Sequence, residues 1–423
     1  MSKTILPSGL RIVTEEVSTS RSAAVGIWAN VGSRDESKSV AGASHFLEHL
    51  LFKGTKRRTA LEISSSIEAV GGEMNAFTGQ EYTCFYARVI DTDLELAVDV
   101  VTDLITSSTF TSEDVDSERK VVLSEIAVRD DDPSDYIHEL YLDTVYGDSP
   151  IGRSILGTVD SITKMPRNSI FNYYKKHYQP ENLVVSVAGN VKHKKVVKLV
   201  EEALSRDNFL DTPTKSHHTR VATPVKTPGL GKVGLIDRKT EQAHILYGFP
   251  GLARNDERRF ALSVLSSAVG GGMASRLFQE IREKRGLAYT TYSYPQQFAG
   301  TGTLAFYAGC KVEKAEEVMK LMRDISESVA QHGLTSEEIS RAKGAVTGGL
   351  ILGQEDTGSR MSRIGKSELV YGEIMSFDEI LAKVRSVTPE QVHQLARDLF
   401  TAPATLALVG PFRSKAKFEK VIS

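Results

Sequence analysis

The stretch NLVVSVAGN, Asn182 to Asn190, is a β-branched run closed by a glycine, and ATLALVGPF, Ala404 to Phe412, closes the second half of the chain in the same way. Their glycines, Gly189 and Gly410, lie 221 positions apart. Working outward, Phe85-Tyr86-Ala87 recurs as Phe306-Tyr307-Ala308 at the same offset, and AAVGIW with Gly26 is matched by HILYGF with Gly248 at 222. The helix opening TSEDV at Thr111 recurs as TSEEI at Thr335, at 224. Four matches near one offset mean one architecture written twice. Within each half, strand-like runs alternate with amphipathic stretches such as LELAVDVVTDLI from Leu94 and EKAEEVMKLMRDISESV from Glu313, so each half reads as a sandwich of a sheet and helices. Between them, DTPTKSHHTRVATPVKTPGLGK holds Pro213, Pro224 and Pro228, a composition that resists helix and central strand alike. The expected domains are 1–210 and 233–423, with a linker over 211–232.

A chain of 423 residues exceeds one ordinary hydrophobic core, which agrees with two domains. The formal net charge of −2 gives no reason to expect nucleic acid or an anionic membrane as partner. Cys84 and Cys310 lie far apart without CxxC spacing, which excludes a disulfide framework or a cysteine zinc site. The start, MSKTILPSGLRIVTEEV, reads as a turn feeding a strand and not as a signal peptide, and no run of about 18 apolar residues occurs. The expectation is a cytoplasmic protein.

Chemistry concentrates in SHFLEHLLFKG, Ser44 to Gly54. His45, Glu48 and His49 stand at i, i+3 and i+4 and therefore share one helix face, while Phe46, Leu47, Leu50 and Leu51 form the apolar face. Two imidazoles one turn apart can hold one Zn²⁺, with the carboxylate between them as a proton acceptor, and His-x-x-Glu-His is a metallopeptidase order. The alternative is two partly exposed histidines paired with Glu48. A third ligand has candidates in SEDVDSERKVVLSEIAVRDDDP, a helix opened by Ser112 and closed near Pro133, where Glu118 and Glu125 share a face. Glu125, set between Leu123 and Ile126, is the less comfortable in water. The second copy has Ser266, Val269 and Gly270 for the three helix residues, and Ala342 and Gly349 for the two glutamates. None of the five is kept, so they form a site and not a scaffold.

The whole chain resembles the pitrilysin family of zinc metallopeptidases, the inverzincins, and most closely the short two-domain bacterial type similar to the β subunit of the mitochondrial processing peptidase. His49 and Glu125 are separated by 75 residues, and Glu118 precedes Glu125 by seven, as in that family. The resemblance implies an α+β fold of two homologous domains, each a mostly antiparallel sheet packed with helices. It implies one Zn²⁺ per subunit held by His45, His49 and Glu125, with Glu48 as general base and Glu118 as a carboxylate behind the ligands. Ser124 departs from the acidic residue found there in many relatives.

Two further stretches match. In AVGGEMNAFTGQEYTCFYA, Asn75, Ala76 and Phe77 would lie along the substrate cleft, where a peptide adds to the sheet edge. Asn75 also reads as a simple turn residue, and Glu81 is a candidate for orienting the zinc shell. In GGGMASRLFQEIREKRGLAYTTYSY, Arg282 and Tyr289 have the spacing of the pair that family members present to substrate, with Tyr289 facing a developing oxyanion. Gly270, Gly271 and Gly272 lack the Lys-Ser or Lys-Thr of a phosphate loop. The expected function is zinc-dependent endopeptidase action on extended or unfolded peptides, by a homodimer whose active site is completed in trans. The alternative is a catalytically inactive structural or peptide-binding member of the same fold.

Overall fold

The computed structural model describes residues 1–211 and 219–422. In chain order the helices are α1 Ala43–Leu51, α2 Ala60–Glu68, α3 Leu94–Ser107, α4 Ser112–Asp131, α5 Pro133–Tyr146, α6 Val159–Lys164, α7 Arg167–His177 and α8 His193–Leu204. They continue as α9 Arg259–Gly270, α10 Ala315–His332, α11 Ser336–Gly353, α12 Thr357–Tyr371, α13 Phe377–Ser386, α14 Pro389–Phe400 and α15 Ala416–Ile422.

The chain divides into two compact units. The first comprises Met1–Ala127, Ser154–Arg220 and Leu352–Met375. Its strands are β1 Ser2–Ile5, β2 Arg11–Glu16, β3 Ser22–Ala29, β4 Glu73–Thr78, β5 Thr83–Ile90 and β6 Leu183–Gly189, in the order β1-β2-β6-β3-β5-β4. Only β2 and β6 run parallel. The second unit comprises Val128–Arg153, Val221–Ile351 and Ser376–Ser423. Its strands β7 Val233–Asp237, β8 Gln242–Pro250, β9 Ala288–Phe298, β10 Thr301–Lys311 and β11 Thr405–Gly410 take the order β7-β11-β8-β10-β9, with only β7 and β11 parallel. The second order repeats the first without β1, so the duplicated, mostly antiparallel α+β architecture read from the sequence is present.

Strand register corrects one alignment. Tyr86 stands opposite Gly26, whereas its counterpart Tyr307 stands opposite Leu246. The true equivalent of Gly248 is therefore Trp28, two residues along. A shift of two leaves every side chain on the same face, which is why the apolar pattern alone did not reveal it.

The unit boundaries also differ from the expected division at 210 and 233. Residues 128–153, from the first half of the chain, belong to the second unit, and residues 352–375 belong to the first. Of the predicted linker, residues 212–218 lie outside the described residues. Val225 and Gly229 donate backbone hydrogen bonds to Gly300 and Val145, so this part packs into the second unit.

The reason for the exchange is that each sheet buries both faces. In the first unit, Ile12, Val25, Ile27, Phe85 and Val185 point into the core shared with Phe46 and Leu47 of α1. The opposite face carries Val13, Ala24, Trp28, Cys84 and Val184 and is covered by Met361, Ile364 and Leu369 of α12. Each fully buried Val, Leu, Ile, Phe or Met side chain among these contributes about 1.5–3 kcal/mol. Ion pairs fix the helix: Arg360 and Arg363 to Glu15 at 2.6 and 2.7 Å, and Arg88 to Asp356 at 2.6 Å. In the second unit Ile137, Tyr141, Leu142 and Val145 of α5 cover Leu246, Ala305, Tyr307 and Val409.

The two covered faces invert one contact. A Cβ on Gly365 of α12 would stand 2.2 Å from the indole nitrogen of Trp28, and a Cβ on Gly248 would stand 2.1 Å from the hydroxyl of Tyr141. Tyr141 and Gly365 are equivalent at the 224 offset, as Trp28 and Gly248 are by register. One copy puts the large residue on the strand, the other on the helix. Gly365→Val should therefore destabilise the protein by about 1–3 kcal/mol through overpacking. Combined with Trp28→Ala it should cost less than the sum of the single changes, measured by urea unfolding as a double-mutant cycle.

Candidate active site

α1 has only nine residues, so its geometry depends on what holds its ends. Phe46, Leu47, Leu50 and Leu51 are buried to within 1 % exposure and pin one side into the core. At the start, the buried carboxyl group of Glu36, whose pKa burial pushes up to about 7, accepts the backbone N–H groups of Gly42 and Ser44, both at 2.7 Å, and so satisfies donors at a helix N-terminus. Gly42 has φ of +92°, a turn that suits glycine. Past the end, Thr55 donates to the fully buried Asp103 at 2.7 Å, and Arg57 and Arg58 pair with the same carboxylate.

On this fixed helix the rings of His45 and His49 lie 4.7 Å apart. Their Nε2 atoms stand 3.5 and 3.3 Å from the same Oε2 of Glu125 on α4. These three side chains are the one group among the described residues whose ligand atoms converge in this way, all within 4.8 Å of one another. Burial and the neighbouring His49 push the pKa of His45 down to about 4, so at neutral pH it presents a lone pair and no charge. An uncharged imidazole does not hold a carboxylate electrostatically, whereas a dication between the three would. Separations of 3.3 and 3.5 Å suit the edges of a ligand tetrahedron with bonds of about 2.0–2.1 Å, and two imidazoles with a carboxylate are a zinc donor set.

Glu118, seven residues before Glu125, meets Nδ1 of His49 at 3.2 Å and the Lys53 ammonium at 2.7 Å. Holding the proton on Nδ1 leaves Nε2 free for a metal. The burial expectation is reversed here: the Glu118 side chain is 4 % exposed and that of Glu125 is 40 % exposed. The face of α4 turned toward α1 buries its earlier turn and opens at Glu125. Glu48 lies beside the cluster; burial raises its pKa, Glu125 adds to this, and a 2.6 Å hydrogen bond from Thr78 opposes it.

Comparison with known proteins agrees with this geometry. Residues 11–159 match the family model described as Insulinase (Peptidase family M16), and residues 164–346 match Peptidase M16 inactive domain. An uncharacterized zinc protease of Streptomyces coelicolor is 54 % identical over 98 % of this chain and 90 % of its own. The chain belongs to peptidase family M16. Another M16 relative, an uncharacterized zinc protease of Bacillus subtilis, is 39 % identical over 96 % of this chain and 97 % of its own. A protease from Helicobacter pylori shares the fold with a TM-score of 0.89 at 23 % identity, covering 97 % of this chain and 99 % of that one. All three converging residues of this M16 chain fall within the Insulinase match, outside the segment matching the inactive domain.

The remaining predicted residues separate. β4 is the edge strand of its sheet and alternates strictly: Met74 and Ala76 pack toward the α1 core, while Asn75 and Phe77 are exposed on the other side. Phe77 lies 5.7 Å from the ring of Trp28, and the Asn75 side-chain oxygen accepts the N–H of Ala76 at 2.8 Å. Glu81 is buried and pairs with Arg34 and Arg220, and so braces a turn. In the second unit Arg282 sits in a π-helical turn, Phe278–Glu283, and Tyr289 near the start of β9. They do meet: Arg282 donates to the Tyr289 carbonyl at 2.7 Å and its guanidinium lies 4.3 Å from the ring centre, while Tyr289 is 75 % exposed.

Sequence reasoning missed Lys53, Thr78 and Glu36. Strand alternation places Thr78 on the face of Ala76 and was the available signal; Glu36 precedes Gly42 by a distance that no local helix rule covers. His49→Ala and Glu125→Ala should each abolish stoichiometric zinc binding. Glu118→Gln should weaken it by about 10- to 100-fold, measured by chelator competition on the purified protein.

Proposed function

We propose that the chain is a zinc-dependent endopeptidase cleaving extended or unfolded peptides. The observation that carries this reading is the convergence of His45, His49 and Glu125 with Glu48 beside them, in a family whose curated relatives are named zinc proteases. When bound, zinc would supply Lewis-acid polarisation of the scissile carbonyl and a lowered water pKa. Glu48 accepts the proton of the attacking water and passes it to the leaving amine, a role that suits a carboxylate whose pKa burial has raised. The open edge of β4 receives the peptide backbone as an added strand, which recognises extended chain with little demand on sequence. Tyr289 donates to the developing oxyanion and Arg282 clamps a substrate carbonyl.

In this reading the protein is a homodimer, and Arg282 and Tyr289 of one subunit complete the site of the other. Support comes from the exposure of the Tyr289 ring and from the resemblance to relatives whose sites are completed between such domains. Glu48→Gln should keep zinc and lose at least about 100-fold in hydrolysis of a quenched unstructured peptide, and chelation should silence the parent protein. Retained hydrolysis by Glu48→Gln would remove that residue from the mechanism. Mixing Glu48→Gln with Tyr289→Phe under subunit exchange should restore activity; its absence despite confirmed exchange rejects the shared site. Zinc and peptide binding with no turnover by the parent protein would favour the inactive, peptide-binding reading.

A further inference from the structure

We infer that Thr78 is a positioning residue for the catalytic base, tying the Glu48 carboxylate to the edge strand that receives substrate. The inference rests on the reading of Glu48 as general base.

Thr78 is the last residue of β4 and faces α1, and its hydroxyl donates to Oε2 of Glu48 at 2.6 Å. A hydrogen bond of this length to a carboxylate is a charge-assisted one, and it leaves Oε1 for a second partner. A glutamate side chain has three rotatable bonds, so without this restraint the base would sample several rotamers on the helix. Proton transfer requires its oxygen within hydrogen-bond reach of the water.

The restraint is useful only if both of its ends are fixed, and one short segment, Gly32 to Glu36, fixes both. On the strand side, the N–H groups of Ser33 and Arg34 donate to the carbonyls of Gly79 and Gln80 at 3.3 and 2.8 Å, directly after Thr78. Arg34 pairs with Glu81 in the same turn, and Arg220 pairs with Asp35 at 2.6 Å. A Cβ on Gly32 would stand 2.2 Å from the Gly79 carbonyl oxygen, so the two loops are in backbone contact. On the helix side, Glu36 holds the N-terminal amides of α1. Thr78 and Glu48 are thus anchored to neighbouring residues of one segment. Because β4 is also the open edge of the sheet, a peptide added there would take its register from the same strand that sets the base.

The test compares Thr78→Val, which removes the hydroxyl at nearly constant shape, with Thr78→Ser, which keeps it. Using a quenched unstructured peptide and the zinc-loaded protein, Thr78→Val should lower kcat by about 10- to 100-fold with KM changed less than about threefold, and Thr78→Ser should recover most of the rate. Zinc affinity by chelator competition and the unfolding midpoint should match the parent for both, which separates base positioning from damage to the metal site. Parental kcat in Thr78→Val, or a loss that Thr78→Ser shares, overturns the inference. Glu48→Gln run alongside distinguishes the two levels: if it is silent while Thr78→Val is unimpaired, only the positioning inference fails, and if it retains turnover, the base assignment itself fails.

Discussion

The carboxylate of Glu36 on the first amides of α1 is the contact from which the rest of the site takes its geometry. A nine-residue helix is too short to be stable alone, and three of its side chains, His45, Glu48 and His49, stay out of its fully buried face. Its apolar residues pin one side into the core and leave its terminal amides to be satisfied elsewhere. Buried acceptors on Glu36 take its N-terminal amides, and Asp103 restrains the exit through Thr55. His45 and His49 then reach Glu125 because the helix, not the imidazoles, has been fixed.

Much of this was legible before any coordinates. The 221-residue offset announces two copies, and the copies do share a strand order. The spacing of His45, Glu48 and His49 announces one helix face, and the helix from Ser112 offers Glu118 and Glu125 as a third group, of which the family resemblance singles out Glu125, the one that converges on the two imidazoles. What the sequence hides is whatever depends on tertiary neighbours. Nothing local says that Glu118 is buried and Glu125 half open, since both sit on one face of one helix. Nothing local says that Glu81 belongs to Arg34. The misplaced match of Gly26 with Gly248 has the same origin: alternation fixes which face a residue takes and is blind to a slip of two.

The two copies have diverged in complementary ways. The second lacks every candidate ligand, and its α9, the counterpart of α1, places Ser266 against Ser293 and brings Gly270 within close backbone approach of the same strand. Where the first copy gives a helix face to three converging polar groups, the second gives it to packing. The exchange of Trp28 with Gly365 for Gly248 with Tyr141 shows the same logic in the core, with volume conserved across the contact while its two sides trade roles.

The exchanged helix has a consequence for how the protein is made. Trp28 and its neighbours emerge early from the ribosome, but the residues that cover them, Met361, Ile364 and Leu369, follow some 330 to 340 positions later. The sheet is complete only once its central strand β6 has been made, so at ordinary elongation rates it carries a bare apolar face for about 10 to 35 s during synthesis. The face beneath α1 needs no such wait, since its core is drawn from residues up to Leu204. The side of the first unit that carries the His45, His49 and Glu125 cluster is therefore complete in sequence well before its back is closed, and the interval between the two is when this chain most needs protection from its own kind.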